Sequence, residues 1–235
     1  MPSSRLLLTA AALLVLAAVP GCSELDEASA AGVSRNELMV DMATQLAGAS
    51  DLTYEAAYQL RGGATATVAH EPKPARTAYV HRDGMTLVTA DTVTECATTA
   101  TPPTCTMTTP VTPSTGPSPA PAAIAALLSA PVAAPGLAPP AAVQALLVRA
   151  ALDPAAQVEQ RDTTIAGRHA TCVTLSGVAG TGDFDTCVTN EGVLGSFAGT
   201  LDQAPFDMAM THYADTVTEA TFTLPAGAKI NDQRR

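Results

Sequence analysis

Eleven of the chain's 18 prolines fall between Thr101 and Pro140. A stretch so rich in proline cannot continue a helix or sit inside a sheet, so it reads as a break between two halves. In both halves the apolar residues recur with a period of two, the pattern of half-buried strands. Leu52, Tyr54, Ala56, Tyr58 and Leu60 alternate with Thr53, Glu55, Ala57 and Gln59. Gly62-Gly63 gives a turn into a strand on which Ala64, Ala66 and Val68 share a face. A strand over Arg76–Arg82 follows, then Asp83-Gly84, a two-residue hairpin signal, leading into Met85–Ala90. Val93–Cys96 and a return through Cys105–Thr108 complete a first meander.

After the break, strands are predicted over Gln157–Ile165, Arg168–Leu175, Phe184–Thr189, Val193–Leu201 and Phe206–Val217, with a short one near Phe222. Helical spacing occurs in three places. Ser34-Arg35-Asn36-Glu37 forms a capping box, after which Leu38, Met39, Met42, Ala43 and Leu46 share a face up to Gly48. Ala122–Ser129 begins behind Pro121, and Ala141–Leu152 behind Pro140, a good first helical position. Residues 109–121 between these elements read as extended linker.

The N-terminus carries a different signal. Leu6 to Val19 is an unbroken, mostly apolar run, shorter than the roughly 20 residues a membrane-spanning helix needs but suited to a secretory signal. Val19-Pro20-Gly21-Cys22 follows it directly, and then the polar Ser23-Glu24-Leu25-Asp26-Glu27. These residues resemble the lipobox of bacterial lipoproteins, which implies that the Cys22 thiol is acylated, with palmitate-type chains, and becomes the mature N-terminus. Two acyl chains, at ~0.8 kcal/mol per buried methylene, suffice for stable anchoring. The alternative is a plain secreted chain with Cys22 free or removed. Either way the compartment is extracytoplasmic, and under the first reading the protein sits on the cell membrane facing outward.

That compartment is oxidising, so the remaining four cysteines are expected to pair. Three connectivities are possible; the local one, Cys96–Cys105 and Cys172–Cys187, is the natural choice. The strand pattern puts Val173 and Leu175 on one face of their strand and Cys172 on the other. Phe184 and Val188 likewise oppose Cys187. Both cysteines thus fall on the more polar face, as a cross-strand bridge requires.

Charge excludes one class of partner. The chain has 12 basic and 22 acidic residues, and removal of residues 1–21 takes Arg5 with it. Nucleic-acid binding needs clustered Lys and Arg, so none is expected, and membrane attachment must come from the anchor. Catalytic patterns are also missing. No G-x-S-x-G elbow occurs, and Gly177–Gly182 reads as a hairpin loop. Asp183 and Asp185 read as solvated, and His212 as a core or rim histidine sharing parity with Phe206, Met208 and Met210. The four histidines are scattered and no CxxC spacing exists, so neither a metal nor a cofactor is expected, and no enzyme. The Thr- and Pro-rich run from Thr98 to Thr115 is either an unmodified loop or an O-glycosylated stalk.

The order of these elements is lipobox, tether, amphipathic helix, meander, helical insertion and second meander. It resembles the lipoprotein-carrier superfamily of LolA-type carriers and mycobacterial LppX/LprG-type lipoproteins. The resemblance implies an α+β fold, a curved antiparallel β-sheet (a half-barrel) with helices packed on its concave face. The layout would be a signal peptide over 1–21, a tether over 22–33, a single LolA-like domain over 34–230 with a Pro/Thr-rich insertion over 97–121, and a tail over 231–235. It also implies a lipid or other amphiphile held between sheet and helices. Its lining would come from Leu38, Met42, Leu46, Tyr54, Tyr58, Ile124, Leu127, Leu128, Val143, Leu147, Phe184, Phe197, Met208 and Met210, with Leu52, Val68, Leu146 and Val188 beside them. The same residues could instead form a dry core. Two functions follow: a monomeric carrier or binding module for amphiphiles, or a non-enzymatic envelope or sensor lipoprotein that docks a protein partner. Cavity size separates them, since a carrier needs on the order of 300–1,000 Å³ of apolar space.

Overall fold

Pairing of the alternating segments produces one sheet. The computed structural model describes residues 23–110, 135–201 and 203–234. Cys22 with its lipobox, and the predicted helix Ala122–Ser129 with Ile124, Leu127 and Leu128, lie outside the described residues. Helix α1 spans Ser23–Gly48 and continues into a 3-10 turn, Ala49–Asp51. The first meander is β1 (Tyr54–Leu60), β2 (Thr65–Pro72), β3 (Ala75–His81), β4 (Gly84–Thr89), β5 (Val93–Ala97) and β6 (Thr104–Thr108). Helix α2 (Pro140–Leu152) precedes the second meander: β7 (Gln157–Ile165), β8 (Arg168–Ser176), β9 (Phe184–Thr189), β10 (Leu194–Leu201) and β11 (Ala204–Ala214). A 3-10 turn, Glu219–Phe222, and strand β12 (Lys229–Asp232) close the chain.

The twelve strands run in the order β12-β6-β5-β4-β3-β2-β1-β11-β10-β9-β8-β7. The sheet is open, and every neighbouring pair is antiparallel except β12 and β6. The fold is therefore α+β, with the two meanders fused where β1 pairs with β11. Both predicted disulfides form, Cys96–Cys105 and Cys172–Cys187, each between directly opposed residues with Cα atoms 4.0 Å apart. In the chain-entropy model a bridge closing a loop of about 15 residues contributes ~3 kcal/mol.

One face of the sheet and both helices share the main core. Met39, Met42, Ala43 and Leu46 of α1 and Val143, Leu146, Leu147 and Ala150 of α2 are buried in one cluster with Tyr58, Val173, Val188, Phe197 and Met208 of the strands. Alternation explains the assignment: Val173 and Leu175 enter this core, whereas Cys172, Cys187 and Ala170 form a small cluster on the far face. A second far-face cluster gathers Ala69, Ala78, Met85 and the Cys96–Cys105 bridge under Phe222. Arg76 pins that cover. Its guanidinium lies 4.0 Å over the Phe222 ring and donates to both carboxylate oxygens of Glu219 and to Glu71.

In its elements the sequence reading differs from the structure at several places. Helix α1 is already helical at Ser23, so residues 23–33, read as a tether, are helical in backbone, and Ser34 lies inside the helix rather than at its cap. The β3–β4 turn is Arg82-Asp83, because His81 pairs with Gly84. Gly84 is needed there for close approach, since a Cβ would sit 2.0 Å from the Cys96 carbonyl oxygen. The strand expected near Phe222 is a 3-10 turn. The chain pairs later instead, through β12, which takes in residues assigned to the tail and lies parallel to β6.

The ring of Tyr58, on β1, crosses the core, and its hydroxyl donates to the Leu194 carbonyl of β10 at 2.8 Å. Tyr58→Phe should therefore lower stability by about 1 kcal/mol, because a buried carbonyl loses its donor; urea unfolding of the two proteins measures the difference.

Candidate functional site

The predicted lining residues converge, but on a core with little room. Met42, Leu46, Tyr54, Tyr58, Val143, Leu147, Phe184, Phe197, Met208 and Met210 are all buried in the main cluster, and Leu38 packs against its edge. Val68, Leu146 and Val188 belong to the same cluster, with Leu52 at its margin. Phe197 touches Phe184 and Phe206, with ring centroids 6.0 and 6.5 Å apart, and so fills the space below α2.

Among the described residues a pocket lies between sheet and helices. Its walls are Tyr54 and Tyr58 of β1, Val68 of β2, Tyr79 of β3, Leu194 of β10, Met208 of β11, and Ala49, Leu137, Ala138 and Pro140 from the helical layer. It offers about 20 Å³ to a water-sized sphere, room for a single water molecule. The Ala138 amide donates to the Met208 sulfur at 3.1 Å, which fixes the segment that leads into α2 over this spot. Four of the residues proposed from sequence line the pocket: Tyr54, Tyr58, Val68 and Met208. Tyr79 was missed, although the period of two on β3 marks it. Leu137 and Ala138 were missed because they belong to no predicted element.

The pocket is electrically quiet. Burial pushes the phenols of Tyr54, Tyr58 and Tyr79 upward, reinforced at Tyr54 and Tyr58 by neighbouring tyrosines. All three remain neutral at physiological pH and can only donate or accept hydrogen bonds. The histidines stand apart from it. His70 bridges Thr77 and the Ser50 carbonyl. His212 is exposed rather than a core residue, for a definable reason. The β1–β11 register slips between Ala57 and Tyr58, so Tyr58 faces Met210 while Ala57 faces His212. That bulge turns the β11 parity over, leaving Met208 and Met210 in the core, His212 outside it, and Tyr213 back against it. Among the described residues no group of three His, Cys, Asp or Glu could hold a metal ion, and no helix is long and apolar enough to cross a membrane.

Asp185 is not the solvated carboxylate that the sequence suggested. It accepts two hydrogen bonds from Arg161 (2.7 and 3.1 Å) and one from Thr174 (2.9 Å). Arg161 also reaches to 4.0 Å from the Cys187 sulfur, so the ion pair roofs the second disulfide. Asp183 is exposed. The glycine-rich stretch is the β8–β9 loop, and Asp153 at the end of α2 ties it down by accepting the amides of Ala179 and Ala155.

No family model matches the chain, and no curated protein matches it in sequence. Among solved structures, it is similar to that of an uncharacterized conserved protein from Thermus thermophilus, with a TM-score of 0.47 and 10% identity over 84% of this chain and 98% of that one. It is also similar to MucB in complex with MucA(peri), with a TM-score of 0.44 and 11% identity over 79% of this chain. The chain spans 59% of the length of that MucB chain.

The charged contacts predict a pH dependence. For Asp185, burial alone would raise the carboxyl, but the bonds from Arg161 and Thr174 hold it below its ordinary value. The Ala179 and Ala155 amides lower Asp153, Arg76 lowers Glu219, and Arg234 holds Asp232 down at about 2. Depressed carboxyls stabilise the fold above their unfolded values, about 4, and that contribution is lost as pH falls through the folded ones. Stability to urea, followed by tyrosine fluorescence, should thus decline from about pH 4 toward pH 2. Asp185→Asn should flatten part of that decline.

Proposed function

We propose that the chain is a lipid-anchored docking module on the extracytoplasmic face of the cell membrane, tethered through Cys22 and acting by contact with a protein rather than by catalysis. The observation that carries this reading is the small size of the pocket between helices and sheet among the described residues. An amphiphile site needs on the order of 300–1,000 Å³, and the pocket beside Tyr54 and Tyr58 offers about 20 Å³. Under the same reading the open sheet curves into a half-barrel with α1 and α2 in its concavity. The small side chains of that layer, such as Ala43, Ala142 and Ala150, let the helices close onto the strands.

The carrier reading keeps one specific support. The pocket lies between sheet and helical layer, where an acyl chain would enter, and its walls are mostly apolar. Enlarging it would require Leu137–Pro140 and α2 to lift away from Met208.

Native mass spectrometry of the full chain, after incubation with a bacterial lipid extract and removal of detergent, separates the two. The docking reading predicts the mass of the acylated protein with both disulfides and no bound lipid. A stoichiometric lipid adduct that Ala138→Trp removes would replace it with the carrier reading.

A further inference from the structure

The end of the sheet opposite β12 is finished differently from most sheet edges. Strand β7 is the last in the order and pairs only with β8, through nine consecutive residue pairs from Gln157↔Ser176 to Ile165↔Arg168 without a register shift. Open edges in stable proteins are usually short, bulged, charged or broken by proline, because a row of free amides and carbonyls invites another strand; β7 has the charges, Glu159, Arg161 and Asp162. β7 is long, regular and proline-free, and Glu159 to Thr164 are all exposed. Among the described residues nothing pairs with its outer edge.

Beside it runs a groove of about 490 Å³, lined by Ser34, Arg35, Glu37, Leu38 and Asp41 of α1 and by Val158 and Gln160 of β7. Leu38 and Val158 are partly buried and pack against the main core, giving the groove an apolar floor. Glu37 and Asp41 are exposed one helical turn apart along its rim. The one cation in the lining is already engaged: Arg35 donates to the Ala156 carbonyl at 2.8 Å and to the Asn36 side chain at 3.1 and 3.2 Å. Arg161, on the strand itself, is committed to Asp185. The charge left to face a visitor is negative, and Asp162 on the Val158 side of the strand adds to it.

We infer that β7 and the α1 rim form a strand-addition site for an extended segment of a protein partner, one that carries small apolar and basic residues in turn along one face. This rests on the docking reading and names its partner class. Main-chain bonds to the free edge of β7 supply affinity, while alternate side chains supply specificity. Side chains on one face of an added strand recur every second residue, so along the face turned to α1 an apolar residue can rest on Leu38 and Val158 while the next residue on that same face, Lys or Arg, meets Glu37 and Asp41. An acidic segment would meet like charge at both carboxylates.

The test uses the full chain in detergent and a capped nine-residue peptide in which Val and Lys take turns at the odd positions with Thr between them, so that both reach one face, with two controls. One control replaces every Lys with Glu; the other carries N-methyl groups on alternate amides of the ladder edge. The inference predicts that the Lys/Val peptide binds, slows hydrogen exchange of the β7 amides, and weakens at least tenfold with Glu37→Lys/Asp41→Lys, two exposed positions whose change leaves the fold intact. The Glu peptide and the N-methylated peptide should not bind. Equal binding of the N-methylated peptide, or binding that leaves β7 exchange unchanged, would overturn strand addition at this edge. So would a concentration-dependent dimer that protects β7 without peptide, which would make a second copy the occupant. A chain that binds no peptide and stays lipid-free loses this site but keeps the docking reading; one that takes up lipid loses the docking reading itself.

Discussion

The ladder between β1 and β11 holds the molecule together. Either meander alone would present a hydrophobic face and two open edges, and α1 would have only half a surface to rest on. Pairing Leu60 with Met208, Gln59 with Ala209 and Tyr58 with Met210 makes the two sheets one and creates a face wide enough for both helices. The Tyr58 hydroxyl, bonded to Leu194 on β10, reaches across the joint and ties the first meander to the second. The turn after β9 completes the clamp from above. Gly192, at φ +93°, lies so close to α1 that a Cβ there would stand 2.2 Å from the Gln45 carbonyl oxygen. Only glycine accepts both that dihedral and that approach.

The local pattern was legible and the joint was not. Alternation from Leu52 to Leu60 and around Cys172 and Cys187 marks strands, faces and disulfides, because each depends on neighbours in sequence. Nothing in the residues of β1 states that its partner lies about 150 positions away, since pairing partners are chosen by the assembled core. The bulge at Thr211 is a consequence of that joint, and it is why a period of two does not keep His212 on the face of Met208 and Met210. The pocket shows the same division. Tyr54, Tyr58 and Met208 could be named from their strands, but Leu137 and Ala138 reach it only because α2 is folded back over the sheet. Ion pairs such as Arg161–Asp185 depend on the same assembled register.

The alanine-rich composition could have produced an empty interior or a close one. In α2, Ala142, Ala145, Ala150 and Ala151 are all buried beside Val143, Leu146 and Leu147. Small residues at a helix surface let backbones approach, and close packing rather than a void is the usual outcome in protein interiors. Here the pocket beside Tyr54 and Tyr58 offers about 20 Å³. Under the docking reading recognition falls to the outer surfaces, and the β7 edge beside the carboxylates of α1 is the one whose chemistry is most defined.

Hydrogen exchange of the full chain, read peptide by peptide with no ligand added, tests the filled core most directly. If helices and sheet are one packed unit, the amides of Met39–Leu46 in α1 and of Val143–Ala150 in α2 should exchange together with those of β1 and β11, in the slowest class and with the same denaturant dependence. Helical amides that exchange far faster than the β1–β11 ladder would mean that the layer lifts from an intact sheet. That result would contradict the account and return the space between them to a ligand.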